Sequence, residues 1–254
     1  MGILSVEEGD PVAIENADGR SRVILVCEHA SRRMPQSLGT LGLSGEALES
    51  HIAWDPGALA VARLMARSLD ATLFFQRFSR LVYDCNRPPE SPAAIPETSE
   101  VYAVPGNAKL GVADRQARTD ALYVPFRGGL SALVRQRIAA GRAPVIVTMH
   151  SFTPVYFGRN RTVEIGILHD ADSRLADGML AAAGENMLYD IRRNEPYGPE
   201  DGVTHTLKEH GLANGLLNVM IEIRNDLIKE EIGQGVVADY LTGLLVASIP
   251  ADQS

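Results

Sequence analysis

Two histidines each follow an apolar run of the kind that forms a buried strand. His29 follows the run 22–28, and His150 follows the run 144–149. Ligands of open α/β sheets bind beyond the carboxyl ends of the strands, so we expect these two side chains to meet there. Catalytic zinc is commonly held by two histidines and one carboxylate, with one position left open for water. A lone histidine is more often a satisfied imidazole, but the pair favours a metal site.

The third metal ligand is expected to be Asp55, which lies at a predicted helix start after a loop that can fold back over the sheet. Glu28 is the neighbour of His29, but adjacent residues of a strand point to opposite faces. His51 lies four residues before Asp55, a spacing that brings two side chains together on a helix. The pattern therefore favours Asp55 and leaves Glu28 and His51 as alternatives.

A polar cluster ends the stretch 80–89, which reads RLVYDCNRPP. The apolar residues 81–83 predict a short strand, and the two prolines stop regular structure after it. Arg87 offers a planar fork that binds a carboxylate with two hydrogen bonds, and Asn86 beside it both donates and accepts. The pair predicts a site for a small anionic molecule. The alternative is a surface salt bridge after an edge strand.

One carboxylate, Glu222, lies inside the apolar run 219–223. Burying a charge is costly, so this group needs a partner or a raised pKa. A glutamate tuned in this way suits a general base that activates water at a metal. The alternative is a structural ion pair with Arg224, two residues further along the same face of the strand.

The bulk composition argues against several classes of function. The chain has 254 residues and a formal net charge of −8, which argues against nucleic acid as the main partner. No apolar run reaches the roughly 18 residues that span a membrane, and the N-terminus lacks an apolar signal core. The two cysteines, Cys27 and Cys85, fit reduced thiols better than a disulfide framework. We therefore expect a cytoplasmic protein.

Apolar runs alternate with helical patterns along the chain, which predicts an α/β domain with a mixed, mostly parallel central sheet flanked by helices. A single domain is expected over residues 1–254, with an N-terminal extension over residues 1–20. The predicted strands are 22–28, 71–76, 144–149, 163–168, 187–192 and 216–223. The predicted helices are 44–69, 115–140 and 226–248. The first is expected in two pieces, with Asp55 as the N-cap of the second piece, and residues 91–111 are expected to form a long loop.

Five motifs, in this order, resemble the N-formylglutamate amidohydrolase family: CEHAS, AWDPGA, RFSRLVYDCNRPP, TMHSF and IEIRNDLI. The resemblance covers about residues 23–245 and implies the fold of zinc-dependent exopeptidases, the group that includes zinc carboxypeptidases and aspartoacylase. It implies zinc ligands His29 and His150, the catalytic base Glu222, the carbonyl-polarising Arg80, and the carboxylate-binding pair Asn86 and Arg87. The wider group has a carboxylate ligand where this chain has Arg32, so either Asp55 replaces that ligand or the metal site is incomplete.

The resemblance also implies an activity, which is metal-dependent hydrolysis of an N-acyl acidic amino acid such as N-formylglutamate. Zinc or another divalent metal ion is the expected cofactor, and Arg224 is expected to bind a second carboxylate or to orient Glu222. The expected partner is a small anionic N-acyl amino acid, without nucleic acid or membrane, and homo-oligomerisation is left open. Two alternatives are a cysteine hydrolase built on Cys27 and a non-catalytic sensor of a small carboxylate metabolite.

Overall fold

A seven-stranded sheet forms the centre of the protein. The computed structural model describes residues 2–185 and 187–250. In chain order the strands are β1 (Val12–Glu15), β2 (Val23–Cys27), β3 (Thr72–Gln76), β4 (Val145–Phe152), β5 (Ile165–Leu168), β6 (Ile191–Arg193) and β7 (Asn218–Arg224). Their spatial order is β1-β3-β2-β4-β7-β5-β6. The pairs β1–β3 and β7–β5 are antiparallel, and the other neighbours are parallel.

Helices cover both faces of this sheet. The α-helices of the described residues are α1 (Gly45–Glu49), α2 (Ala58–Leu69), α3 (Val112–Arg118), α4 (Val124–Ala139), α5 (Arg174–Glu185) and α6 (Glu231–Ser248). Two short hairpins lie outside the sheet, one pairing Thr98–Ser99 with Tyr102–Ala103 and one pairing Val155–Tyr156 with Arg159–Asn160. The prediction of an α/β fold with a mixed, mostly parallel sheet flanked by helices is confirmed. Within the described ranges, each helix is too short or too polar to cross a membrane.

Alternate residues of β2 face two different hydrophobic cores, because successive side chains of a strand point to opposite faces. Leu25 and Cys27 pack in the core that contains α2, α5 and α6. Ile24 and Val26 pack in the core that contains α4. Burial on both faces explains why this strand reads as a continuous apolar run. The carboxyl ends of β2 and β4 therefore lie at the centre of the molecule, between the two helical layers.

The predicted strand over residues 81–83 is wrong. Val82 N–H donates to the Ser79 carbonyl at 3.0 Å, and Leu81 N–H donates to the Ser79 hydroxyl at 3.2 Å, so the segment forms a turn. Its apolar side chains are fully buried in the core next to α4, which explains the strand-like composition. An apolar run of three residues is too short to distinguish a buried turn from a strand.

Both ends of the chain also differ from their predictions. The C-terminal helix begins at Glu231 and not at Asp226, because residues 225–228 first form a 3-10 turn. At the other end, β1 lies within the predicted N-terminal extension and pairs with β3 at the edge of the sheet. Part of the extension therefore belongs to the sheet itself.

Candidate active site

Three polar atoms form a tight triangle at the carboxyl ends of β2 and β4. His150 Nδ1 lies 3.0 Å from Asp55 Oδ2 and 3.2 Å from His29 Nδ1, and the same Asp55 oxygen lies 3.2 Å from His29 Nδ1. The three residues are between 1% and 3% exposed. The two predicted histidines and the predicted carboxylate therefore lie together, and the alternatives Glu28 and His51 are outside the triangle.

A sharp turn before α2 positions Asp55. Its N–H donates to the His29 carbonyl at 2.9 Å, and the Ser151 N–H donates to Asp55 Oδ2 at 3.3 Å. Gly57, with φ of 81°, is the N-cap of α2, and a Cβ there would lie 2.7 Å from the Ile228 carbonyl oxygen. Glycine is the residue that fits this left-handed turn. The predicted N-cap role of Asp55 is therefore wrong, and its carboxylate contacts the histidines instead.

A carboxylate backs each histidine on the side away from the triangle. His29 Nε2 lies 2.7 Å from Asp84 Oδ1, and His150 Nε2 lies 3.2 Å from Glu28 Oε2. Burial opposes ionisation of both carboxyls, but the histidines outweigh it and lower the pKa values of Asp84 and Glu28. Metal-binding histidines almost always present their second nitrogen to such a carboxylate, carbonyl or water. Sequence reasoning missed these two roles, although both residues lie in the motifs that it identified.

The triangle fits a divalent metal ion in both spacing and donor type. Ligand atoms of a tetrahedral zinc, with bonds of about 2.0–2.1 Å, lie about 3.3 Å apart. The separations here are 3.0–3.2 Å. Two imidazole nitrogens and one carboxylate oxygen suit zinc and also other divalent ions such as manganese or cobalt. His29, Asp55 and His150 are therefore able to hold such an ion.

Strand β7 brings Glu222 next to the triangle, in register with His150 on β4. Glu222 is 4% exposed, lines the cavity described below, and its Oε2 has no hydrogen-bond partner among the described residues. Burial raises the pKa of Glu222 to about 7, and the charge of Asp55 adds to the effect of burial. A carboxyl with a pKa near 7 both accepts and releases a proton at neutral pH.

Arg80 connects Asp55 of the triangle to Asp84, the carboxylate behind His29. It donates to Asp84 Oδ2 at 2.7 Å and to Asp55 Oδ1 at 3.4 Å, and it lines the cavity. Burial acts against its charge, but Asp84 and Asp55 outweigh burial and raise the pKa of Arg80. A permanent cation therefore lies beside the predicted metal ligands.

The predicted Asn–Arg pair lies in the cavity wall, where it holds the segment 202–206. Asn86 Nδ2 donates to the Val203 carbonyl at 2.5 Å, and Asn86 Oδ1 accepts from the Thr206 N–H at 3.0 Å. Arg87 donates to the Gly202 carbonyl and forms no ion pair with a carboxylate of the described residues. The Asn86 side chain thus fixes the wall, whereas Arg87 has no carboxylate of the described residues within ion-pair distance.

Arg224 does not reach the cavity, contrary to its predicted contact with substrate or with Glu222. Its guanidinium donates to Asp226 at 2.8 Å and to Glu164 at 3.5 Å. Although Arg224 and Glu222 are two residues apart on β7, Arg224 lies at the end of the strand, where these two carboxylates bind it. The alternative ion pair between Glu222 and Arg224 is likewise not formed.

A cavity of about 460 Å³ opens in front of the triangle. Its wall includes Arg80, Arg87 and a third arginine, Arg161, which sequence reasoning missed. The short hairpin that precedes Arg161 lacks any apolar periodicity that would have placed this residue near a strand end. Other lining residues are His51, Ile52, Ser99, Glu100, Phe152, Thr153, Tyr156, Pro196, Tyr197, Asp201 and Val203.

The cysteine alternative has little structural support. Cys27 is fully buried in the core with α2 and α6, and burial raises its pKa well above the ordinary value. A catalytic thiolate needs an exposed, electropositive setting. Cys85 is also buried, and burial raises its pKa too.

Comparison with known proteins defines the class to which this fold and site belong. The family model for N-formylglutamate amidohydrolase matches residues 21–229. The chain therefore belongs to the N-formylglutamate amidohydrolase family, and the predicted resemblance is confirmed.

Two solved structures are similar over almost the whole chain. The gene product Atu2144 from Agrobacterium tumefaciens is 61% identical, with 97% of each chain covered and a TM-score of 0.95. The N-formylglutamate amidohydrolase from Ralstonia eutropha JMP134 is 20% identical, with 93% of this chain and 96% of that chain covered and a TM-score of 0.64. At that identity the second likeness concerns the fold alone. No protein with curated function matches the chain.

Proposed function

We propose that this protein is a metal-dependent amidohydrolase that cleaves the amide bond of an N-acyl acidic amino acid such as N-formylglutamate. The observation that carries the proposal is the buried triangle of His29, Asp55 and His150 with the unpaired carboxylate of Glu222 beside it. Membership of the N-formylglutamate amidohydrolase family supports the same reaction class. Hydrolysis adds water across the C–N bond and yields a carboxylic acid and an amine.

In this proposal His29, Asp55 and His150 hold the divalent ion, and Asp84 and Glu28 orient the two imidazoles from behind. When bound, such an ion makes a water molecule more acidic, with a pKa of about 7, and polarises a carbonyl oxygen. Zinc is the expected ion, and the donor set also accepts another divalent metal.

Glu222 is the proposed general base. It takes a proton from the attacking water and later delivers that proton to the leaving nitrogen, so that its carboxylate is regenerated in each cycle. Its free oxygen and its pKa of about 7 suit both transfers. The one carboxylate of the triangle, Asp55, does not suit this role, because it is shared between two histidines and Arg80.

Two arginines of the cavity wall carry the remaining roles. Arg80, a cation beside Asp55, is proposed to stabilise the negative charge that develops on the carbonyl oxygen, a contribution of about 3–4 kcal/mol for a well-placed donor. Arg87 is proposed to bind a substrate carboxylate, while Asn86 holds the wall at residues 202–206. Together they would orient the amide in front of the triangle.

The test is to measure metal content and turnover together. Elemental mass spectrometry of the purified protein should find about one equivalent of a divalent metal, which the variant His29→Ala, His150→Ala should lose. N-formylglutamate should be hydrolysed by the wild type and not by Glu222→Gln, with the released amine detected chemically. If the protein holds no metal even after reconstitution with zinc and hydrolyses no N-acyl amino acid, the proposal is refuted and the sensor alternative is favoured.

A further inference from the structure

Arg161 is held in an aromatic wall of the cavity. Its guanidinium carbon lies over three rings, at 4.3 Å from the centre of Tyr156, 4.7 Å from Tyr197 and 5.6 Å from Phe152. Arg161 also donates to the Tyr197 hydroxyl at 2.9 Å, and its backbone N–H donates to the Pro154 carbonyl at 2.8 Å. Contact with ring faces restrains a guanidinium and leaves N–H groups available for a planar acceptor.

The charge of Arg161 lacks an ion-pair partner within the described part of the chain. Among the described residues, no carboxylate lies within ion-pair distance of its guanidinium, whereas Arg80 is paired with Asp55 and Asp84. Arg87 contacts backbone carbonyls and is likewise without a carboxylate partner in the described ranges. Within the described part of the chain, the cavity therefore presents two guanidinium groups without an ion-paired carboxylate, enough to bind both carboxylates of a dicarboxylic molecule.

Tyr197 places Arg161 close to the reacting groups. Its hydroxyl accepts a hydrogen bond from Arg161, and Tyr197 lines the cavity together with Glu222 and Arg80. A molecule bound between Arg161 and Arg87 would lie in the same cavity as the triangle and Glu222.

We propose that Arg161 is a specificity residue that binds one carboxylate of a dicarboxylic substrate, while Arg87 binds the other. The proposal rests on the proposed amidohydrolase function and transfers to Arg161 the second-carboxylate role that the sequence had suggested for Arg224. The substrate class that follows is N-acyl amino acids with an acidic side chain, in preference to neutral ones. Because a carboxylate accepts two hydrogen bonds from an arginine, replacement by lysine should restore only part of the effect.

The experiment compares the activity of each protein variant on each of three substrates. Wild type, Arg161→Gln and Arg161→Lys are assayed with N-formylglutamate and with its two mono-amides, N-formylglutamine and N-formylisoglutamine. Loss of a charge-assisted pair should lower kcat/KM for the dicarboxylate about 10- to 100-fold, mainly through KM. In one of the two mono-amides, an amide replaces the carboxylate that Arg161 binds. For that compound, the loss of kcat/KM should be several-fold smaller. Arg159→Gln, on the exposed strand of the same hairpin, is the matched control and should keep the wild-type preference.

An equal loss on all three compounds would overturn the proposal, because Arg161 would then only support the wall. No loss on any of them would overturn it as well. A binding measurement separates this result from failure of the proposed function: glutarate is titrated calorimetrically into the zinc-loaded proteins. The wild type could prove to hydrolyse none of the compounds. In that case the carboxylate site is still supported if the affinity for glutarate falls at least about 10-fold in Arg161→Gln and in no other variant. Unchanged glutarate affinity, or none in the wild type, refutes it.

Discussion

Replacing Glu222 by glutamine should remove turnover and at the same time make the metal-free protein more stable at alkaline pH. The carboxyl is buried and its pKa is raised from 4.5 to about 7. Glutamine keeps the shape of the side chain and never ionises. The variant therefore separates the catalytic role of the charge from its effect on folding.

The size of the stability effect follows from linkage. A carboxyl whose pKa is raised by folding contributes stability that is fully present below the pKa of the unfolded chain and is lost as the pH rises through the folded pKa. A tenfold difference in proton affinity between the folded and unfolded chain corresponds to about 1.4 kcal/mol. From about pH 5 to about pH 8, the free energy of unfolding of the wild type should therefore fall by about 2–3 kcal/mol relative to that of Glu222→Gln.

The assay is denaturant unfolding of both proteins at the two pH values in the presence of a chelator. Groups that do not interact with Glu222 titrate alike in both proteins, so their contributions cancel in the comparison. Adding zinc should shrink the difference, because a nearby cation favours the ionised carboxylate. A stability difference that is the same at both pH values would refute the raised pKa, and near-normal turnover by Glu222→Gln would refute the role as base.

Three further outcomes are expected. Asp84→Asn should weaken metal affinity about 10- to 100-fold, because His29 loses the carboxylate behind it, and chelator competition measures this. Asn86→Ala should lower the free energy of unfolding by about 1–3 kcal/mol, since two buried backbone groups lose their partner; unchanged urea unfolding would contradict the role in the wall. Gly57→Ala should destabilise the fold by more than about 1 kcal/mol in thermal unfolding, because residue 57 has a left-handed φ and a Cβ there would contact Ile228. Gly39→Ala, at an open turn, is the comparison variant.

The triangle of His29, Asp55 and His150 was predictable because its histidines lie at the ends of strands that are easy to recognise. The runs before His29 and His150 are apolar throughout, since β2 and β4 are covered on both faces, and the parallel order of the sheet then brings both strand ends together. Glu222 was predictable for a related reason: a lone carboxylate in an apolar strand is costly unless it has a role. Asp55 was less certain, since its position depends on a loop that bends back to His29.

Other parts of the site depend on contacts that leave no periodic signal. Arg161 follows a hairpin of two-residue strands, and its neighbours in the wall, Tyr156 and Tyr197, are 41 residues apart in the chain. Arg224 shares a strand face with Glu222, yet carboxylates on neighbouring loops hold it outside the cavity. Strand alternation decides which way a side chain points, but ion pairs beyond the strand decide where a long side chain ends.

The three residues of the triangle come from distant parts of the chain: His29 and Asp55 are 26 residues apart, Asp55 and His150 are 95 apart, and His29 and His150 are 121 apart. An ion held by them would close two large loops at once, and the unfolded chain has no comparable cluster to offer it. Such an ion therefore acts on folding by mass action, adding about 4 kcal/mol when its free concentration is about 1,000 times its Kd. It would be a removable crosslink between the segments around β2 and β4, so that metal supply would change the stability of the fold as well as the proposed activity.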